Sequence, residues 1–175
     1  AEAAESVQMA DAVSGEYTYT VSGVNATITG YTGSAASLTL PEELDGYTVQ
    51  AVGDNAFSGC LTLTSVEIPE SVEKIGDYAF DNCVNLKTVT IEDGVETIGR
   101  EFLKNTAVTE ITLPESLISA DNALGGAQEL EKVTFAEGSR SVPTGLLRRY
   151  AVSDPGSNVS EVILPESVTE IGNSA

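Results

Sequence analysis

Four glutamates recur directly after prolines, and they are the first residues whose type and spacing could do chemistry. They are Glu42, Glu70, Glu115 and Glu166. Stacked carboxylates could bind calcium or form the acid and base pair of a glycoside hydrolase. The sequence contains neither a D-x-[DN]-x-[DN]-G loop nor a G-G-x-G-x-D loop, and hydrolysis needs one carboxyl held protonated in a closed pocket. We therefore interpret the four glutamates as a solvated face, and a glycan-acting hydrolase is the least favoured hypothesis.

The remaining reactive side chains are two cysteines, Cys60 and Cys83, which are 23 residues apart. The chain has no histidine, which excludes histidine-based triads, and two soft ligands are too few for zinc. The cysteines are either a buried reduced pair, which we favour, or a disulfide between neighbouring repeats. The sequence predicts no catalytic residue, no metal site and no cofactor.

The charge of the chain limits its partners. It has 27 acidic and 8 basic residues, a formal net charge of −19, and no basic stripe to neutralise phosphates. No apolar run reaches the length of a membrane-spanning helix. We therefore expect neither nucleic-acid binding nor direct membrane insertion.

The elements that position these side chains come from an internal repeat. Pairs of apolar residues two apart recur along the chain at steps of 28, 23, 22, 22 and 29 residues. A period near 23 is too short for a helix pair and predicts one coil per repeat, stabilised by stacking on the next coil. The strand pairs are Leu38/Leu40, Val66/Ile68, Val89/Ile91, Ile111/Leu113, Val133/Phe135 and Val162/Leu164. An aromatic residue or leucine also recurs, at Phe57, Phe80, Phe102, Leu124 and Leu146.

The side chains between and beside the buried strand residues should point into solvent, because successive residues of a strand face opposite sides. They predict a rigid outward file on which hydroxyl and carboxylate groups repeat at one strand spacing, suited to a ligand that lies along the coils. The candidate ligand-binding face is Ser65, Glu67, Thr88, Thr90, Glu110, Thr112, Lys132, Thr134, Glu161 and Ile163.

The two ends of the chain differ from the repeats. Residues 1–14 show no period, and we expect a flexible segment there. Residues 15–33 contain two alternating runs around a turn, which predict a β-hairpin cap. Residues 34–175 form the solenoid, and the final coil stops within its repeat, so we expect it to be incomplete and to leave an open edge.

The phrases "LTSVEIPESVEKIGDYAFDNC" and "VSEVILPESVTEIG" make the sequence resemble BspA-like leucine-rich repeats over about residues 16–175. The resemblance implies a curved solenoid of the α/β class, with about six coils of 22–23 residues, mostly short parallel strands, and short helical or 3-10 turns. It also implies a secreted or cell-surface location in host-associated bacteria, with the signal peptide removed, and a role in adhesion or host interaction. It suggests no catalytic residues.

Three functional hypotheses follow for the repeat module. The first is a non-enzymatic module that binds a protein or glycan ligand through the outward file. The second site for such a ligand is the insertion between Pro143 and Asn158, which brings together Arg148, Arg149 and Tyr150, residue types enriched at binding hot spots. The alternatives are a structural spacer in a larger surface protein and, least favoured, the glycan-acting hydrolase. Self-association through the open C-terminal edge is a separate expectation about partners.

Overall fold

The computed structural model describes residues 11–147 and 158–173, and all regular secondary structure in these ranges is β-strand. The prediction of short helical or 3-10 turns was wrong for the described residues, because the coils are closed by hydrogen-bonded turns. Tyr78 and Asn82, for example, have φ angles of 57° and 59°. Two left-handed residues four apart prevent a right-handed helix from propagating through the turn.

Fifteen short strands form the fold. They are β1 (Ala12–Ser14), β2 (Tyr17–Ser22), β3 (Asn25–Tyr31), β4 (Ser37–Thr39), β5 (Glu43–Leu44), β6 (Tyr47–Val52), β7 (Ser65–Ile68), β8 (Lys74–Ile75), β9 (Thr88–Ile91), β10 (Thr97–Ile98), β11 (Glu110–Leu113), β12 (Lys132–Phe135), β13 (Ser141–Val142), β14 (Glu161–Ile163) and β15 (Glu170–Ile171). One strand from each of the six coils contains the first residue of the predicted apolar pair: β4, β7, β9, β11, β12 and β14, in chain order. The second residue follows directly after the strand in β4 and β14 and lies within the strand in the other four.

These six strands lie along one side of the coils in two parallel sheets, which we together call the first ladder. β4, β7 and β9 make one three-stranded sheet, and β11, β12 and β14 make another. Val66 pairs with Val89, and Ile111 pairs with Val133, so the predicted strand register is confirmed. The inward residues of β7, β9, β11 and β12 are buried, and those of β14 are not.

A second ladder lies at the next corner of the coils, where β6, β8 and β10 pair in parallel. The Ile-Gly phrase is required there because the coils approach closely: a Cβ on Gly76 would lie 2.6 Å from the backbone nitrogen of Asp54. The carboxylate of Asp54 accepts a hydrogen bond from the Asp77 amide at 2.9 Å. In the fourth coil Ala120-Asp121 replaces Ile-Gly, and the second ladder is reduced there to a single parallel β-bridge between Thr97 and Ser119.

The N-terminal hairpin covers the first coil. β2 and β3 pair antiparallel, and β3 then pairs in parallel with β6, the first strand of the second ladder. Residues 12–14, which we expected within the flexible segment, form β1 and pair antiparallel with β2. This strand forms because Ala12 packs against the core and its backbone continues the antiparallel sheet.

A series of aromatic rings in contact with one another runs through the N-terminal half. Ring centroids are 5.3 Å apart for Tyr17 and Tyr31, 5.4 Å for Tyr31 and Phe57, and 5.1 Å for Phe57 and Phe80. The first two pairs are tilted, and the rings of Phe57 and Phe80 are stacked, with 14° between their planes. Ring contacts at these separations add to the stabilisation from burial.

The prediction that Phe102 continues the series of Phe57 and Phe80 was wrong by one residue. Phe80 lies two residues after the left-handed Tyr78, and the equivalent left-handed residue of the next coil is Glu101, with a φ of 50°. Leu103 therefore occupies the position of Phe80, and Phe102 takes that of the preceding alanine. Both residues are fully buried, so a pattern of apolar residues could not distinguish the two registers.

The described residues of the sixth coil leave apolar side chains exposed at the C-terminal end. Val162 is 46% exposed and Ile171 is 65% exposed, whereas Val133, in the preceding coil, is fully buried. This difference follows from stacking, since a coil is buried only where a neighbouring coil covers it.

Candidate functional site

The first ladder brings the predicted outward residues together in rows across the coils. Ser65 pairs with Thr88, and Glu67 pairs with Thr90. In the C-terminal sheet, Lys132 lies between Glu110 and Glu161. The remaining row contains Thr112, Thr134 and Ile163. All ten predicted face residues thus lie on the strands of these two sheets, in rows that extend across the paired coils.

Hydrogen bonding divides this outward file into two parts. At its N-terminal end, the Ser65 hydroxyl donates to the Ser37 hydroxyl at 2.8 Å, and the Thr39 hydroxyl donates to the Glu67 carboxylate at 3.0 Å. Further along the file, four threonine hydroxyls have no hydrogen-bond partner within residues 11–147 and 158–173. These are Thr88, Thr90, Thr112 and Thr134. The second part of the file is therefore free to hydrogen-bond a ligand.

A break in the first ladder lies within this second part. No β-ladder joins β9 to β11, although each of them pairs with its other neighbour. An open depression of about 670 Å³ lies over these strands on the outward face, bordered by residues 87–91 of β9 and its approach, residues 109–112 of β11 and its approach, and Lys132 and Thr134 of β12. We call it the β9/β11 cleft.

The break coincides with a missing residue. Asn82 and Asn105 are equivalent left-handed turn residues, with φ angles of 59° and 53°. Four positions separate Asn82 from the buried Leu86, whereas only three separate Asn105 from the buried Val108. The shorter approach coincides with the break, although β11 pairs in full with β12, whose approach from Gly126 to the buried Leu130 is again four positions long. Sequence reasoning missed the cleft, although the shortened spacing was visible in the sequence.

Arg148, Arg149 and Tyr150, the predicted contacts of the insertion, lie outside the residues that the structure describes. The insertion therefore stays a prediction. On the described side of it, Leu146 is buried in the core and fixes the start of the segment.

The two cysteines lie at equivalent positions of neighbouring coils and are free thiols. Cys83 is buried, and its Sγ lies 3.0 Å from the carbonyl oxygen of Phe57. A hydrogen bond from the Cys83 thiol lowers the pKa of the half-buried Cys60 to about 7. The same pairing, together with burial, raises the pKa of Cys83.

A polar cluster that the sequence did not reveal lies in the turns of the third and fourth coils. The Lys104 ammonium contacts the Glu101 carboxylate at 2.6 Å and lies 5.5 Å from the ring centroid of Tyr78. The hydrogen bond with Glu101 raises the pKa of Lys104. Asn122 is buried and donates to Glu101 at 3.3 Å. The lysine is thus held inside the turn, where its role is structural.

In residues 11–147 and 158–173, no group of three or more potential Asp, Glu, Cys or His ligands could hold a metal ion. The same ranges contain no helix long and apolar enough to cross a membrane.

Comparison with known families agrees with this architecture. The BspA-type leucine-rich-repeat family matches residues 50–175 with six copies of its repeat. The chain therefore belongs to the BspA-type leucine-rich-repeat family. No curated protein is significantly similar to it.

Solved structures with the same fold come from bacteria. A leucine-rich cell-surface protein of Faecalibacterium prausnitzii is 34% identical with a TM-score of 0.63, over 93% of this chain and 45% of that protein. A leucine-rich-repeat protein of Treponema pallidum is 25% identical with a TM-score of 0.56, over 90% of this chain and 83% of that one. The pneumococcal vaccine antigen PcpA, at 21% identity and a TM-score of 0.61, shares the fold over 89% of this chain and 35% of its own. The chain thus spans less than half of the F. prausnitzii protein.

Proposed function

We propose that this chain is a non-enzymatic binding module of a secreted or cell-surface bacterial protein, and that its outward file binds a protein or glycan ligand in adhesion or host interaction. The family assignment and the similarity to a bacterial cell-surface protein support the location. The binding role rests on the file itself.

The observation that carries the proposal is the set of unpaired hydroxyls in the second part of the file. The strands that carry these hydroxyls are held by parallel pairing to a neighbouring coil. Thr112 of β11, for example, pairs with Thr134 of β12. Little conformational entropy is lost when a ligand contacts side chains on such a rigid support. A ligand that extends across several coils can contact one row in each of them.

The test places a bulky charge in the file. Thr90→Arg combined with Thr112→Arg should abolish adhesion of the parent cell and capture of host proteins or glycans, because two long cations then cover the unpaired hydroxyls. The matched variant Arg148→Ala with Arg149→Ala should leave binding intact. The reverse result would assign binding to the insertion, where the two arginines would contact an acidic epitope.

A structural spacer is the competing function. It requires no ligand on any accessible face, so neither pair of substitutions would alter adhesion or capture. If both variants behave as the parent protein does while remaining folded by circular dichroism, the spacer replaces the binding module.

Self-association is a separate proposal for the C-terminal end. A cavity of about 150 Å³ there is lined by eight apolar residues, among them Phe135, Val162 and Ile171. Exposed apolar surface next to an uncovered strand favours pairing with another copy. Analytical ultracentrifugation should show concentration-dependent dimers that Val162→Glu with Ile171→Glu removes. A strictly monomeric parent chain would contradict the proposal.

A further inference from the structure

The β9/β11 cleft differs from the rest of the file in its backbone. Thr88 donates its amide to Thr64 and Glu92 donates to Ile68, so these residues direct their polar groups towards β7. Because the direction alternates along a strand, Val89 and Ile91 direct theirs towards β11. With no ladder there, their N–H and C=O groups lack regular interstrand hydrogen bonds.

The width of the cleft restricts what can enter it. Cα atoms of β9 and β11 still lie within 8 Å of each other. Inserting a peptide strand between them would require two spacings of about 4.8 Å, or roughly 9.6 Å. The cleft is therefore too narrow for an added strand, and it suits small polar groups such as hydroxyls.

The side chains that line the β9/β11 cleft indicate which ligand groups it can bind. Two of the four lysines of this acidic chain, Lys87 and Lys132, border the cleft, and neither has an ion-pair partner among the described residues. Threonine hydroxyls and the Glu110 carboxylate lie between them. No aromatic side chain lines the cleft, and Val89 and Ile91 are buried, so it lacks the anchors that dominate protein interfaces.

We propose that the β9/β11 cleft is a carbohydrate subsite for a sugar that carries a carboxylate, such as a hexuronic acid. Sugar hydroxyls bridge the uncommitted backbone groups of β9 and β11 and the hydroxyls of Thr90 and Thr112. Lys87 and Lys132 contact the carboxylate, and Glu110 accepts from a hydroxyl. At physiological ionic strength screening acts over about 8 Å, which weakens the repulsion from the acidic residues outside the cleft.

The affinity of one such subsite is weak, because no ring stacks on the sugar. A dissociation constant on the order of 1 mM is expected for one short oligosaccharide, and display of many copies on a surface raises the effective affinity. This inference rests on the proposed function, since it names the ligand class for the second part of the outward file.

The experiment uses trigalacturonate as the probe and the neutral galactose trisaccharide as its counterpart. In ¹⁵N-labelled protein, trigalacturonate should shift the amide resonances of Val89, Ile91, Glu110 and Thr112 first. Lys87→Met with Lys132→Met, and separately Thr90→Val with Thr112→Val, should weaken binding by about tenfold or more, as expected when charge-assisted or paired hydrogen bonds are lost. Lys74→Met with Thr97→Val makes one change of each kind on the second ladder and should alter binding less than twofold.

Several results would overturn the subsite. They are no shift with either sugar, equal binding of the neutral sugar, or equal weakening by the Lys74 and Thr97 control. Capture of a protein ligand that Thr90→Arg with Thr112→Arg abolishes, without any trigalacturonate binding, would refute the carbohydrate subsite and retain the proposed function. Adhesion and ligand capture unaffected by any file substitution would refute the binding role of the file altogether.

Discussion

The N-terminal and C-terminal halves of the solenoid use the same repeat with different degrees of regularity. In the N-terminal half, β4, β7 and β9 pair without interruption, and the rings of Tyr31, Phe57 and Phe80 contact one another in series. In the C-terminal half, Leu103 and Leu124 hold the position of those rings, and both ladders are disturbed at the fourth coil.

The difference shows that the repeat tolerates a missing residue and an interrupted ladder while its core stays closed. The core remains buried on both sides of the break, since Leu86 and Val108 are each at most 1% exposed. The cost falls on interstrand hydrogen bonds at the surface, where water or a ligand can replace them. The backbone groups without regular interstrand hydrogen bonds thus lie where the third and fourth coils meet, at the break between β9 and β11.

The largest expected effect comes from removing an aromatic ring of the regular half. Phe80→Ala should lower the free energy of unfolding by about 3–5 kcal/mol, because it leaves a cavity and ends the ring stack. Phe80→Leu, which retains most of the volume, should cost less than about 1.5 kcal/mol. Denaturant titration measures both, and a loss below about 1 kcal/mol for Phe80→Ala would contradict the coil register.

A smaller effect is expected at the close contact between coils in the second ladder. Gly76→Ala should cost about 1–3 kcal/mol, because its Cβ would meet the backbone of the preceding coil. Lys74→Ala, at an exposed position of the same strand, should stay within about 0.5 kcal/mol of the parent chain. Equal stability of the two variants would mean that the coils are further apart than the structure shows.

Restoring the missing residue should make the two halves alike. Insertion of one asparagine between Ala107 and Val108 recreates the spacing of the preceding coil, where Asn85 precedes Leu86 and donates to the Leu61 carbonyl at 2.7 Å. We expect the β9 to β11 ladder to close and stability to rise by about 1 kcal/mol, the net contribution of a few surface hydrogen bonds.

Amide hydrogen exchange measures that closure directly. Protection at Val89 and Ile91 should increase by about fivefold or more in the insertion variant, while protection at Val66 should not change. If exchange at Val89 and Ile91 stays the same, the shortened approach is not the cause of the break.

The smallest effect concerns the two thiols of the N-terminal half, and it is a change in the pH dependence of Cys60 labelling. Thiolate, which is the reactive form, should appear at Cys60 as pH rises through about 7, well below the ordinary value of 9.0. Iodoacetamide should therefore label Cys60 at neutral pH and leave the buried Cys83 unmodified. Cys83→Ala removes the hydrogen-bond donor and should shift the labelling profile of Cys60 to higher pH, as peptide mapping at a series of pH values would show.

The sequence alone determined the repeat architecture and the direction of most strand side chains. Alternation of buried and exposed residues is local, so Val66, Val89 and Ile111 identified the register of their strands before any contact was known. The same alternation placed the ten outward residues on one face.

Only the tertiary structure decided how neighbouring coils meet. Phe102 and Leu103 are both apolar and both buried, and the choice between them depends on where the left-handed turn residue falls against the next coil. The β9/β11 cleft depends likewise on the alignment of two coils whose buried residues satisfy the same pattern. Periodicity reports which side of a strand is buried, whereas pairing between coils depends on backbone positions that no side-chain pattern encodes.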